Sequence, residues 1–262
     1  MGFTSKNGIT YYQFDIFNNL PIKQAIFTRH GGVSPVPYQS LNIGGNLGDL
    51  DENIIENKKR IFTALDIPFS SQYDVWQVHG TVVDIPEKPR APLASYVQAD
   101  AILTDKPTLT LVMRYADCVP ILLYAPKQHV AGIVHAGWQG TVKNTVGAAI
   151  RKMRAHFGIL PHEILAAIGP SIGPDHYIIR EDVAYQFKSA FGQDWEKVIQ
   201  WDEGQIRLNL WSANAINLQE SGVENIEIAG ICTACNTQDW FSHRAEQGIT
   251  GRFCALIKLL DV

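Results

Sequence analysis

Short apolar runs rich in β-branched residues alternate along the chain with amphipathic helical patterns, and this alternation is what most limits its fold. Seven such runs predict strands buried on at least one face, at 25–29, 109–114, 119–124, 130–134, 164–168, 226–232 and 253–259. Apolar residues at helical spacing predict helices at 51–65, 141–157 and 211–221. No charge block, low-complexity linker or internal repeat interrupts the pattern. It predicts one mixed α/β or α+β domain over residues 1–262, with its strands packed centrally.

Composition and charge narrow the kinds of partner. A chain of 262 residues that is 46% apolar and 18% charged can bury an ordinary core. The net charge of −4 and the lack of a Lys/Arg run argue against binding nucleic acid or a membrane surface through bulk electrostatics, and favour a small-molecule substrate. No apolar stretch approaches the roughly 18 residues of a membrane span, and the N-terminus lacks a signal-peptide pattern. We therefore expect a soluble, cytoplasmic protein whose cysteines are thiols or ligands.

Three residues near the ends of predicted strands form a candidate metal site. His79 follows the mainly apolar run Val75 to Val78, where a strand would turn out of the sheet. Taken singly, such a histidine is more often a hydrogen-bonded structural residue, and a buried cysteine such as Cys118 usually acts as a small hydrophobe. His135 is more informative, because it closes an apolar run and precedes a glycine-rich turn into a helix. Two imidazoles and a thiolate are donors that zinc prefers, and three protein ligands leave a fourth position open. The set predicts a catalytic metal centre.

A series of short motifs runs through the chain from Phe27 to Phe253. In order they are FTRHGGVS, SLNIG, WQVHG, ADAILTD, ADCVPILLY, VHAGWQGT, IGPSIGP, CTACN, FSHR and TGRF. This series resembles the YfiH-type family, also called laccase-domain or multicopper polyphenol oxidoreductases, whose members are now viewed as purine nucleoside phosphorylases. The resemblance implies two mixed sheets packed face to face with helices outside, an α/β/β/α fold.

The resemblance also implies an activity and its metal. The histidine of QVHG, the cysteine of ADC and the histidine of HAGW bind zinc in the family, and here these are His79, Cys118 and His135. The implied reactions are phosphorolysis of adenosine, inosine, guanosine and methylthioadenosine, and deamination of adenosine. Both suit an open zinc site, which lowers the pKa of bound water to about 7 and can polarise a reacting oxygen or the departing base.

Five further residues are candidates for substrate binding. Arg29 lies beside two glycines, where a guanidinium could clamp phosphate, although a surface arginine in a turn is the commoner case. His243 and Arg244 of FSHR could supply a proton donor and an anion clamp, or form a plain polar loop. Asn42 matches the SLN motif, and Gln77 is two residues from His79 and so points to the same face of a strand.

Two other features near the candidate centre allow both a functional and a structural interpretation. The segment Gly137 to Thr141 could present backbone N–H groups to an anion at a helix start, or could simply be the turn that the helix requires. Asp117 could orient a metal-binding histidine through its second ring nitrogen, or cap a turn.

The remaining cysteines form a C-x-x-C pair. Cys232 and Cys235 lack a second pair and do not open a thioredoxin-like unit, so we expect a structural or pocket role rather than disulfide chemistry. Many relatives have GPCIGPC where this chain has GPSIGPD, with Ser171 and Asp175 in place of two cysteines. A function that rests on those two thiols, including additional copper binding, is therefore not expected.

Three alternatives stay open. Copper could occupy the Cys-His site and oxidise phenols, but the eight histidines include no H-x-H pair of the kind that multicopper oxidases use. A metal-free hydrolase could use Cys118 as nucleophile with His79 or His135 as base. A structural zinc protein or a partner-binding module is the non-enzymatic alternative, with Cys232 or another group completing a closed zinc site.

Overall fold

The computed structural model describes residues 2–91, 94–202 and 204–261, which contain fifteen strands and five α-helices. The strands are β1 Gly2–Lys6, β2 Ile9–Gln13, β3 Ile22–Phe27, β4 Gln72–Asp74, β5 Val83–Asp84, β6 Ala101–Thr104, β7 Thr110–Tyr115, β8 Val119–Ala125, β9 Val130–Ala136, β10 Leu165–Ile168, β11 Ile178–Ile179, β12 Ile199–Asp202, β13 Gln205–Leu208, β14 Asn225–Ile228 and β15 Phe253–Leu259. The helices are α1 Asp51–Ala64, α2 Trp138–Val142, α3 Thr145–Phe157, α4 Glu181–Phe191 and α5 Leu210–Glu220.

Two six-stranded mixed sheets form the centre of the molecule. The first has the order β1-β2-β3-β15-β7-β4, and its only parallel pair among the described strands is β4 with β7. The second has the order β14-β10-β8-β9-β6-β5, with parallel pairs at both edges. Strands β11, β13 and β12 form a small third sheet.

Alternating side chains of the strands fill three apolar layers. In β8, Leu122 and Tyr124 face the first sheet, whereas Ile121 and Leu123 face the other way and pack with Ile150 of α3. Because both faces of β8 are covered, its sequence is apolar throughout. On the outer face of the first sheet, α1 contributes a third apolar cluster. The predicted α/β/β/α arrangement is confirmed.

The predicted elements are found, with differences at their ends. The strand expected at 226–232 stops at Ile228, and Gly230 then takes a left-handed backbone conformation. The helix expected at 141–157 is divided in two. Asn144 adopts a left-handed φ of 56° and its side chain accepts a hydrogen bond from the N–H of Gly147, which caps α3.

The sequence patterns missed α4, the hairpin β1–β2 and the third sheet. Within the described residues, no helix is both long enough and apolar enough to cross a bilayer.

Candidate metal centre and substrate cavity

His79, Cys118 and His135 converge from three separate chain segments. His79 follows β4, Cys118 lies in the turn between β7 and β8, and His135 lies near the end of β9. One donor atom from each residue lies within 4.8 Å of the other two. His79 Nε2 is 3.8 Å from Cys118 Sγ, and the two imidazole rings meet edge to face with centroids 4.9 Å apart. The structure therefore brings together the three residues that the sequence proposes as ligands.

A single buried carboxylate, Asp100, fixes both histidines. Its Oδ1 lies 2.8 Å from His135 Nδ1 and accepts the backbone N–H of His79 at 3.0 Å. Its Oδ2 accepts the N–H groups of Val78 and Gly80 at 3.2 and 2.7 Å. These bonds hold His79 at a φ of 58°, a left-handed conformation that non-glycine residues seldom adopt. Asp100 thus sets the backbone of one imidazole and the ring orientation of the other.

Cys118 sits in an equally constrained turn. The preceding residue, Asp117, has a φ of 81°. Its carboxylate accepts the hydroxyl of Thr233 at 2.7 Å and the backbone N–H of Arg244 at 2.6 Å. Orientation of a metal-binding histidine is one of the two roles considered for Asp117, and for His135 this role is performed by Asp100. Asp117 holds the turn that carries the thiol.

Gly137 closes the other side of the centre. A Cβ placed on this residue would lie 2.9 Å from both Cys118 Sγ and His79 Cδ2, so only glycine fits here without displacing a donor. Gly137 is also the N-cap of α2, which is only five residues long. The hydroxyl of Thr141, in the same segment, donates back to the carbonyl of Gly137. The anion-binding role considered for Gly137 to Thr141 stays a prediction.

The close packing of these groups changes how they ionise in the metal-free protein. Burial would raise the pKa of the Cys118 thiol, but the neighbouring His135 and His79 outweigh it and lower that pKa to about 6. Burial would lower the pKa of His135, yet the Cys118 thiolate and the Asp100 carboxylate raise it to about 9. The centre therefore favours a thiolate, which is the form that ligates metals.

The donor set fits a zinc ion. In a tetrahedral site with bonds of about 2.0–2.3 Å, donor atoms lie roughly 3.3–3.8 Å apart, and the 3.8 Å between His79 Nε2 and Cys118 Sγ matches this spacing. Because Asp100 occupies Nδ1 of His135, Nε2 of that ring is left to face the centre. Two nitrogens and one sulfur also suit copper, so the geometry does not choose between the two metals.

A cavity of about 370 Å³ opens over the centre. Its lining includes all three candidate ligands together with polar, cationic and aromatic side chains, namely Trp76, Gln77, Arg114, Tyr115, His243 and Arg252. Such a volume is within the usual range for small-molecule sites, about 300–1,000 Å³. The candidate metal centre therefore lies in the wall of a ligand-sized cavity.

Two of the five predicted substrate residues line this cavity. His243 is exposed to it. Gln77 also lines it, but its amide bonds to the backbone of Arg114 at both ends, donating to the carbonyl at 2.8 Å and accepting the N–H at 3.0 Å. Gln77 therefore fixes the cavity wall in addition to any contact with substrate.

The other three predicted substrate residues lie outside this lining. Arg29 donates to the carbonyls of Gln39 and Thr237 and pairs with Glu246 at 3.0 Å, in a different depression. The guanidinium of Arg244 donates to the carbonyl of Ile178 and lies over the ring of Tyr177. In the structure, both guanidinium groups act within the protein.

Asn42 is fully buried and organises a loop that borders the cavity. Its amide oxygen accepts the backbone N–H groups of Gly44 and Arg252, each at 2.8 Å, and its NH₂ donates to Asp49 at 2.9 Å. It therefore positions two lining residues, Gly44 and Arg252, from behind.

Sequence reasoning missed Asp100, Trp76, Arg114 and Arg252. Three of these stand inside motifs already noted: Asp100 in ADAILTD, Trp76 in WQVHG and Arg252 in TGRF. A test of every charged or aromatic residue within those motifs would have found them. Arg114 carried no such signal, since it lies inside the apolar run that forms β7.

Comparison with known proteins assigns the chain to a family. A model of the multi-copper polyphenol oxidoreductase laccase family matches residues 23–260. The chain belongs to this family. The purine nucleoside phosphorylase YlmD of Geobacillus stearothermophilus is 34% identical, over 88% of this chain and 87% of its own length. A purine nucleoside phosphorylase of Deinococcus radiodurans is 35% identical, over 92% of this chain and 90% of its own length.

Two solved structures share the fold over nearly the whole chain. The hypothetical protein YfiH of Bacillus licheniformis has a TM-score of 0.91 and 30% identity, with 98% of each chain covered. YlmD from Geobacillus stearothermophilus has a TM-score of 0.90 and 32% identity, with 99% of each covered. The resemblance inferred from the motifs is thus confirmed.

Proposed function

We propose that this chain is a zinc-dependent purine nucleoside phosphorylase that also deaminates adenosine. The observation that carries the proposal is the convergence of His79, Cys118 and His135 on a cavity that also contains two guanidinium groups. The names of the two relatives, purine nucleoside phosphorylase, support the same reaction. The proposed substrates are adenosine, inosine, guanosine and methylthioadenosine with phosphate, and the proposed location is the cytoplasm.

The phosphate site is assigned to Arg114 and Arg252. Both line the cavity, and within the described part of the chain neither forms an ion pair with a carboxylate. Among the described residues, the guanidinium of Arg252 donates to the backbone carbonyls of Thr250 and Gly251. Two guanidinium groups place positive charge on the cavity wall, and a dianionic phosphate would complement it.

The purine is assigned to the aromatic side of the cavity. Trp76 is 40% exposed and lines it. An indole face of this kind can stack against a heteroaromatic base, which contributes about 1–3 kcal/mol per base in nucleic-acid sites. This arrangement would leave the sugar between the base and the two arginines.

In phosphorolysis, a phosphate oxygen forms a bond to C1′ of the sugar while the bond from C1′ to the purine nitrogen breaks. The electron pair of that bond goes to the purine, which must take up a proton. His243, exposed in the cavity, is the candidate donor. A bound zinc ion would supply positive charge close to the developing negative charge. Arg114 and Arg252 hold the attacking phosphate in place.

The test is a product assay on protein of defined metal content. Enzyme loaded with one zinc ion at the His79, Cys118 and His135 centre is incubated with adenosine, with and without phosphate. Adenine and ribose-1-phosphate should form only with phosphate, and inosine should form in either case. Cys118→Ala should abolish both activities, whereas Cys254→Ala, a change at a buried cysteine in the outer cluster of the first sheet, should retain them. Absence of all these products from the loaded wild type would refute the proposal.

A metal-free Cys-His hydrolase is the second candidate. Cys118 would be the nucleophile, His135 its base and Asp100 the carboxylate that orients the base, as in a catalytic triad. This alternative gives no role to the second imidazole, His79, which also contacts the sulfur. The dependence of activity on metal distinguishes the hydrolase from the phosphorylase. Activity that survives complete removal of metal by a chelator would support the hydrolase, and activity restored only by zinc would support the phosphorylase.

Phenol oxidation by copper-loaded protein tests the third alternative, a copper oxidase. If copper-loaded protein oxidised phenols and Cys118→Ala oxidised them equally well, that oxidation would not arise at this centre.

A further inference from the structure

A second cluster of metal-binding side chains lies outside the cavity, where two loops meet. One loop joins β10 to β11 and carries Asp175 and His176, and the other follows β14 and carries Cys232 and Cys235. One donor atom from each of the four residues lies within 4.8 Å of the others. Cys232 therefore belongs to this cluster, and it is not available as the fourth ligand of the His79 centre.

The four side chains face one another closely. Cys235 Sγ is 2.8 Å from Asp175 Oδ2 and 3.3 Å from His176 Nδ1. Cys232 Sγ is 3.8 Å from the same ring nitrogen, which also lies 3.1 Å from Asp175 Oδ2. The two separations from a sulfur to His176 Nδ1, 3.3 and 3.8 Å, match the roughly 3.3–3.8 Å expected between the donors of a tetrahedral zinc ion, and the two to Asp175 Oδ2 are shorter, at 2.8 and 3.1 Å.

We propose that Asp175, His176, Cys232 and Cys235 form a second zinc site of the closed, four-ligand type. Two sulfurs, one imidazole nitrogen and one carboxylate oxygen can complete a tetrahedron, whereas the described residues supply three donors at His79, Cys118 and His135. The mixed soft and borderline donors suit zinc rather than magnesium or calcium, which bind oxygen. This site is inferred from its own four donors and does not rest on the proposed phosphorylase activity.

Two backbone N–H groups point at the sulfur of Cys232. The sulfur accepts the N–H of Gly173 at 3.1 Å and that of Cys235 at 3.4 Å. Hydrogen bonds of this kind orient a ligand and tune the metal that it holds. Cys232 is buried, whereas the other three donors are exposed, so a metal ion could enter from solvent.

The second site would stabilise the wall of the first. Thr233, next to Cys232, donates its hydroxyl to Asp117, the residue before Cys118. Its backbone N–H donates to the carbonyl of Ser171, and Ser171 pairs with Cys232 as an isolated bridge. A metal ion that ties the two loops together would fix this turn and, through it, the thiol of the catalytic centre.

The test is zinc stoichiometry in the full-length chain. Reduced, metal-free protein is incubated with Zn²⁺, separated from unbound metal by gel filtration and analysed by mass spectrometry of the metal. We expect about two zinc ions per chain in the wild type and about one in the Asp175→Ala/Cys235→Ala double variant, since each ligand set holds one ion. Both substituted residues are exposed, so the fold should persist.

Two matched variants complete the design. Cys118→Ala should also retain about one ion, now at the second site, and Cys254→Ala should retain about two. Cobalt loaded into Cys118→Ala should give the visible absorption of tetrahedral thiolate coordination, and the further loss of Cys235 should abolish it. Equal zinc content in the wild type and the double variant would overturn the proposal. A Cys232–Cys235 disulfide that remains in the wild type after treatment with reductant would overturn it as well.

Discussion

Replacing Asp100 by Asn tests whether one carboxylate organises the metal centre. The carboxylate of Asp100 is completely buried, and it faces four donors: His135 Nδ1 and the backbone N–H of His79 at one oxygen, and two further backbone N–H groups at the other. An amide has one acceptor oxygen and one NH₂ group. In either orientation, Asn must direct its NH₂ group at two groups that also donate.

The magnitude follows from that count. A buried donor left without an acceptor costs about 1–3 kcal/mol, so two of them should lower the free energy of unfolding by about 2–6 kcal/mol before relaxation. Loss of the bond that orients His135 should weaken zinc binding about 10- to 100-fold, as is usual for residues that orient metal ligands.

The substitution also changes the response to acid. Burial would raise the pKa of Asp100, but its bonds to His135 and Gly80 hold it below the ordinary value. A carboxyl with a lowered pKa in the folded state stabilises the fold above its unfolded-state pKa, about 3.9, and this contribution is lost as pH falls through the folded value. Asp100→Asn should therefore flatten the acid limb of the stability curve.

The assay is urea unfolding of metal-free protein at several pH values, together with zinc affinity from competition with a chelator. The matched control is Asp105→Asn, an exposed aspartate just beyond β6, which should match the wild type in both measurements. Surface substitutions usually change the free energy of unfolding by no more than about 0.5 kcal/mol. If the free energy of unfolding of Asp100→Asn differs from that of the wild type by less than this and its zinc affinity is equal, Asp100 does not organise the centre.

Three further predictions address the donors, the thiol and the phosphate site. Gly137→Ala should destabilise the protein by about 1–3 kcal/mol and weaken zinc binding, because the new methyl group overlaps Cys118 and His79. The control is Gly2→Ala, since Gly2 lies in open space, and equal zinc affinity in the two variants would contradict the prediction. In metal-free protein, alkylation of Cys118 should rise with pH to a plateau with a midpoint near 6, the value to which its histidines lower the pKa; a midpoint near the ordinary thiol value would argue against a thiolate there. Arg252→Met should raise the KM for phosphate about 10- to 100-fold, because it removes a charge-assisted hydrogen bond worth about 1.5–3 kcal/mol, and should change the KM for nucleoside less. The control is Arg29→Met, which should lower stability and leave the KM for phosphate unchanged.

The central strands could be predicted because burial on both faces gives a distinctive sequence. Strand β8 is apolar over its whole length, and every one of its residues is buried. Strand β1 gave no such signal, since four of its five residues are exposed and its sequence is GFTSK. The break before α3 was missed because Asn144, unlike glycine or proline, does not by itself indicate a helix end; only its left-handed conformation shows the cap.

The candidate ligands could be proposed from sequence, but their support could not. Asp100 meets His135 only because β6 and β9 pair antiparallel, with Ala101 opposite Val134, and this register is invisible in periodicity. Arg29 was interpreted as a phosphate clamp because guanidinium and glycine are adjacent in sequence. Its actual partners include Thr237 and Glu246, more than two hundred residues away.

The protein holds the three candidate metal ligands in place before any metal binds. The left-handed φ of His79 costs of order 1–3 kcal/mol, and the hydrogen bonds from three successive N–H groups to Asp100 offset it. The same carboxylate fixes the ring of His135, so one buried residue determines the separation of the two imidazoles. Metal binding then has little left to order. A site of this kind should keep its shape when a metal ion leaves, because protein hydrogen bonds rather than the ion fix its donors.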